Sequence, residues 1–191
     1  MMERDEAIAG HLAALECEDK MVIRRGVDGL IALAGRSPGL VPLLRELLSD
    51  PRRKHRWALA YVLGHVAPPA PAAVEALLEA LGHPEPDIRW AVALLLIRLG
   101  KSHPAIAANL VALSRDGTAT QRRMAVYCIR DVGVPGPPAR AALVRALGDT
   151  DPLVRLAALA AFKNCTGPDA EVERLFLGLF LRDPHDGVRN A

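Results

Sequence analysis

Residues 82–100, GHPEPDIRWAVALLLIRLG, decide the architecture. A proline-broken turn leads to Arg89, an apolar helix-forming run follows without a break, and Gly100 ends it. The same sentence is written again at residues 49–67, SDPRRKHRWALAYVLGHVA, and at residues 148–165, GDTDPLVRLAALAAFKNC. Arg56, Arg89, Arg122 and Arg155 lie 33 residues apart, Arg24 precedes Arg56 by 32, and Arg189 follows Arg155 by 34. Six residues before these arginines stand the turn-forming or capping residues Glu18, Asp50, His83, Asp116, Asp149 and Asp183. Pro51, Pro84 and Pro184 come directly after, where a missing N–H is cheapest at a helix start. A fixed period of this length is the signature of a repeat architecture.

Apolar columns keep the register. Three, six and seven residues past the arginines come Val27, Leu59, Val92, Ala125 and Ala158, then Leu30, Val62, Leu95, Cys128 and Ala161, then Ile31, Leu63, Leu96, Ile129 and Phe162. Spacings of three, four and seven put them on one face of a helix. A second helix follows each proline-rich turn, with columns Leu44, Leu77, Leu110, Leu143, Phe176 and Leu48, Leu81, Ser114, Leu147, Phe180. Ile8, Leu12 and Leu15 match Leu40, Leu44 and Leu47 at a spacing of 32, so residues 3–16 read as a lone second helix that caps the N-terminal end. A single pair has more apolar surface than it can bury, so successive pairs must stack. The expected fold is all-α: a right-handed α-α superhelix of about five two-helix repeats plus the capping helix, in one domain. The repeats span about 18–49, 50–82, 83–115, 116–148 and 149–182, with residues 183–191 starting another.

Composition agrees and narrows the function. Of 191 residues 51% are hydrophobic but only 4% aromatic, so the core is built of Ala, Leu and Val, which favours helix over sheet. A net charge of +2 is far from that of a protein that coats polyanions. Cys17, Cys128 and Cys165 are odd in number and far apart, against a disulfide framework or a CxxC zinc site. The start lacks the basic and apolar blocks of a signal peptide, and the run from Trp90 to Ile97 is too short to span a bilayer. The expectation is a soluble, cytoplasmic chain.

The three quoted stretches resemble the HEAT repeat, in which an Asp-Pro turn leads to an arginine and an Ala-rich helix. The period is below the ~40–47 residues of ordinary HEAT units, and is most similar to the short HEAT-like class first recognised in phycobilin lyases. Ankyrin repeats share the length, but their TPLH-type helix start is missing. The resemblance implies that the recurring Asp and Arg are structural, the Asp capping a helix and the Arg crossing to a neighbouring unit in a ladder. Those roles carry over to Asp50, Arg56, Asp116, Arg122, Asp149, Arg155, Asp183 and Arg189. His83 breaks the pattern, and Arg89 is expected to meet Asp87 or Glu85 instead.

Catalytic sites break repeat symmetry, and little here does so in a catalytic way. The six histidines are scattered, with no HExxH motif and no His-Glu pair of the kind that HEAT-like hydroxylases use for iron. Gly133-Val134-Pro135-Gly136 is no phosphate loop, and no GxSxG elbow occurs. Cys128 and Cys165 fall on core columns. The expectation is no catalytic residue, no metal and no cofactor. HEAT-like alkylpurine glycosylases pair a tryptophan with an aspartate one helical turn later, but Tyr61 and Leu94 occupy those positions after Trp57 and Trp90.

Two irregularities remain. Trp57, Tyr61, Trp90, Arg123 and Tyr127 lie on two adjacent columns of the first helices; they either fill the seam between helices or form an exposed patch for a partner. Arg52, Arg53, Lys54, Arg122 and Arg130 are either solvated helix starts or one basic edge for phosphates. The chain also stops inside a first helix, so the last pair, with Phe176, Leu177, Phe180 and Leu181, is expected to meet further repeats or another chain. The leading reading is a non-enzymatic scaffold that grips a protein or peptide. Nucleic-acid backbone binding through the basic edge comes second, and an accessory role in bilin attachment, implied by the resemblance alone, third.

Overall fold

The computed structural model describes residues 2–133, 136–162 and 170–191. Pro135, Cys165 and the Gly167-Pro168 turn lie outside them. Among the described residues there are twelve helices and no strand. Residues 1–80 form one compact unit and residues 81–191 another, the division falling directly after Ala80.

The first unit holds α1 (Met2–Ala14), α2 (Lys20–Ala34), α3 (Leu40–Leu48), α4 (Arg56–Val66) and α5 (Pro71–Ala80). Here α2 packs between α1 and α4, while α3 and α5 form the second layer. The approach of α1 to α2 needs a glycine: a Cβ on Gly26 would stand 2.8 Å from the His11 carbonyl oxygen. The second unit holds α6 (Pro86–Gly100), α7 (Pro104–Asp116), α8 (Ala119–Val132), α9 (Pro137–Leu147), α10 (Pro152–Phe162), α11 (Ala170–Arg182) and α12 (Asp186–Arg189). The first helices α6, α8, α10 and α12 stack in that order, and α7, α9 and α11 stack beside them.

The helices begin where local chemistry permits. Pro86, Pro104 and Pro137 occupy first-turn positions, where no intrahelical N–H bond is lost. Asp19 caps α2 by accepting from the amides of Met21 and Val22, Thr118 and Gln121 form a capping box on α8, and Asp151 accepts from Leu153 and Val154 at the start of α10. Gly133 ends α8 with φ 69°, a left-handed conformation that side chains resist. The recurring positions His83, Asp116 and Asp183 therefore stand two residues before the N-caps Glu85, Thr118 and His185, and Asp50 five residues before the N-cap His55. Glu18, at the corresponding place in the first repeat, pairs with Lys54 at 2.7 Å.

The apolar columns are the core. Leu30, Val62, Val92, Leu96, Ala125, Cys128 and Ala158 are completely buried in the first helices, and Leu44, Leu77 and Leu110 in the second. Ser114 replaces leucine in its column and satisfies its buried hydroxyl on the Val111 carbonyl at 2.7 Å. The column opens at α11, where Phe180 is 63% exposed although Leu147, one repeat earlier, is 1% exposed.

The arginines brace the turns. Arg122 holds Asp149 through two parallel bonds of 2.7 Å and donates to the Gly117 carbonyl; Arg155 holds Asp183 in the same way and donates to the carbonyls of Asp149 and Thr150. Each carboxylate also accepts an amide two residues on, Asp151 for Asp149 and His185 for Asp183. One residue thus bends a turn and ties it to the preceding repeat. Elsewhere the ladder is broken. Asp50 is taken by Arg52 and Asp116 by its neighbour Arg115, while Arg56 donates to the Leu48 carbonyl and lies 3.8 Å from Glu79. Arg189 pairs with Asp186. Among the described residues Arg89 pairs with no carboxylate; its Nη1 donates to the carbonyls of His83 and Pro84. His83 supplies part of what an aspartate would, its Nδ1 accepting the Glu85 amide at 3.1 Å.

Candidate functional site: an aromatic and basic groove

In the second unit the outward faces of α6, α8 and α10 enclose an open groove of about 260 Å³. Its volume falls just under the range of small-molecule sites, which suits one or two side chains of a partner better than a whole cofactor. Three positions one repeat apart, Trp90, Arg123 and Leu156, run along it. Tyr127 sits one turn beyond Arg123 on the same helix face, and Met124, 1% exposed, forms part of the floor.

The aromatic pair is organised. The rings of Trp90 and Tyr127 are 5.4 Å apart at 33°, and the Arg130 guanidinium lies 5.3 Å over the Tyr127 ring. Trp90 nevertheless stays 44% exposed and Leu153, at the far rim, 43%. Arg123 is half-buried and makes no hydrogen bond or ion pair among the described residues. Arg89 gives its Nη1 to the turn, and its buried Nε has no hydrogen-bond partner among the described residues.

Trp57 and Tyr61 belong to the first unit and are engaged there. Trp57 meets the His55 ring edge-on at 6.4 Å, and Tyr61 packs on the His65 ring at 4.6 Å. Of the five aromatic-stripe residues the second unit thus brings together Trp90, Arg123 and Tyr127. Leu153 and Leu156 escaped the sequence reading, though a signal for Leu153 exists: the three preceding repeats place the polar residues Lys54, Asp87 and Thr120 at its position.

The basic edge is largely neutralised. Arg52 pairs with Asp50, Arg53 with Glu16, Lys54 with Glu18, Arg122 with Asp149, and Arg130 with Asp131. The hydrogen bond to Glu18 raises the Lys54 pKa, and the reciprocal bond lowers that of Glu18. A phosphate would have to compete with a carboxylate at each of these positions.

Among the described residues no three His, Cys, Asp or Glu side chains come together as a metal site, and no helix is long and apolar enough to cross a membrane. Cys128 is completely buried, and burial pushes its thiol up to about 12, so the nucleophilic thiolate is suppressed. Iodoacetamide on the native protein is expected to label exposed Cys17 and to spare Cys128 until denaturant is added, as peptide mass spectrometry would show. Native labelling of Cys128 at a rate similar to that of Cys17 would contradict this burial.

The fold and its outward groove define an α-helical repeat protein of the solenoid class. Residues 40–130 match the family model of HEAT repeats. Among solved structures the chain is similar to YibA of E. coli, with 18% identity over 98% of this chain and 70% of that one and a TM-score of 0.65. It is also similar to a designed armadillo repeat protein in complex with the peptide (KR)4, with 13% identity over 96% and 95% of the two chains and a TM-score of 0.50. A comparison with curated proteins gives no match. At such identities the structural likenesses speak for the fold alone.

Proposed function

We propose that this chain is a non-catalytic protein-interaction module and that the groove of Trp90, Tyr127 and Leu153 is where it grips a peptide segment of a partner. The observation that carries this reading is the exposure of Trp90 beside the exposed Leu153, with arginine at hand. Contiguous exposed apolar groups rimmed by polar ones mark interaction sites, and Trp, Tyr and Arg anchor interfaces more than other residues do. The repeat fold supports the same class of activity, since HEAT and armadillo proteins commonly mediate protein interactions and the designed armadillo neighbour is in complex with a peptide.

Selection of a random-peptide display library on the intact protein tests the reading. Selected peptides are expected to lose roughly thirtyfold or more in affinity on Trp90→Ala with Tyr127→Ala, the scale of about 2 kcal/mol at an interface hot spot. Circular dichroism should show a folded variant. Peptides that bind the double variant as well as the parent, or a library that yields no binders, would refute it.

A further inference from the structure

Resting on that reading, we infer that the groove takes an acidic peptide segment, one that places a bulky apolar side chain beside Trp90 and Tyr127 and a neighbouring carboxylate on Arg123. The charge of the lining carries the inference. Arg89 and Arg123 both line the groove, and no lining residue is acidic. Asp151, next to Leu153, has its carboxylate engaged by the amides of Leu153 and Val154. Three other arginines of the same unit have each found a carboxylate: Arg122 has Asp149, Arg130 has Asp131 and Arg155 has Asp183. Arg123 has none among the described residues, although it adjoins Arg122 and shares its helix with Arg130.

A half-buried guanidinium beside an exposed indole attracts a carboxylate strongly, because it offers planar, paired donors that are partly removed from water. Arg89 adds a second positive charge to the same lining. An apolar side chain in the pocket and an acid at its rim would satisfy both halves of the site at once. A basic peptide would bring like charge onto Arg89 and Arg123 and is disfavoured.

The test uses peptides selected on the intact protein, the variants Arg123→Glu and Arg123→Gln, and an oligouridylate as the nucleic-acid probe. Selected peptides are expected to be enriched in Asp and Glu next to Leu, Phe or Trp. Replacing their acids by amides should weaken binding about tenfold on the parent protein and have little effect on Arg123→Gln, a coupling that a general loss of fold would not produce. Selection on Arg123→Glu should shift toward basic peptides. Peptides that depend on Trp90 but carry no excess of acids, or whose acids do not couple to Arg123, would overturn this inference while leaving the protein-binding module intact. Binding of oligouridylate through Arg123 in preference to any peptide would overturn it as well. Failure to select any peptide would remove the underlying reading instead.

Discussion

Leu96→Ala is expected to destabilise the second unit by roughly 3–5 kcal/mol. Leu96 is 0% exposed on the inner face of α6, where α8 and α7 both pack. Truncation removes three buried carbons and leaves a cavity that two stacked helix layers cannot easily close. Leu94, two residues earlier and 64% exposed, is the control, and its alanine variant should shift stability by less than about 0.5 kcal/mol. The two tryptophans make the measurement clean, because Trp57 lies in the first unit and Trp90 in the second. In a Trp57→Phe background, indole fluorescence during guanidinium unfolding reports the second unit alone. Equal midpoints for the two leucine variants would mean that the α6 register has been misread.

Asp183→Ala is the other large effect, expected at roughly 3 kcal/mol near neutral pH. It strands Arg155, 8% exposed, whose two bonds to Asp183 are both 2.7 Å. It also frees the His185 amide, which Asp183 accepts at 2.9 Å. The same pair predicts a pH dependence. The bond from Arg155 holds the Asp183 carboxyl below the usual range; at Asp149 burial opposes ionisation, but the bond from Arg122 and the Asp151 amide outweigh it. Carboxyls lowered in the folded state contribute stability that is fully present above their unfolded value of about 3.9 and is lost as pH falls through the folded value. The gap between parent and Asp183→Ala should therefore be widest above about pH 4 and close on further acidification. Thermal melts across that range check it, and a gap that stays constant with pH would show that the carboxylate charge is not what stabilises this turn.

Much of this molecule is legible in its residues because repeat structure is local. Helix periodicity, prolines at the turns and glycines at the ends are properties of a dozen consecutive residues. The columns through Leu59, Val92 and Ala125 needed only the recurring arginine to be aligned. The ladder was harder. Asp116 and Asp149 stand at equivalent places in the repeat, yet one is claimed by Arg115 from its own turn and the other by Arg122 from the preceding repeat. Sequence spacing places both within reach of an arginine but does not say which arginine arrives.

Trp57 and Trp90 draw the same line most sharply. Both follow the repeat arginine and both precede alanine, so the chain by itself established their helix, their face and their phase. Trp57 meets the nearby His55 ring edge-on, whereas tertiary packing alone decided that Trp90 turns to Tyr127 of the next repeat and stays open to solvent, on a groove it shares with Arg123. The physical reason is range: a helix is set by bonds four residues long, whereas exposure and charge pairing depend on side chains that arrive from the next repeat.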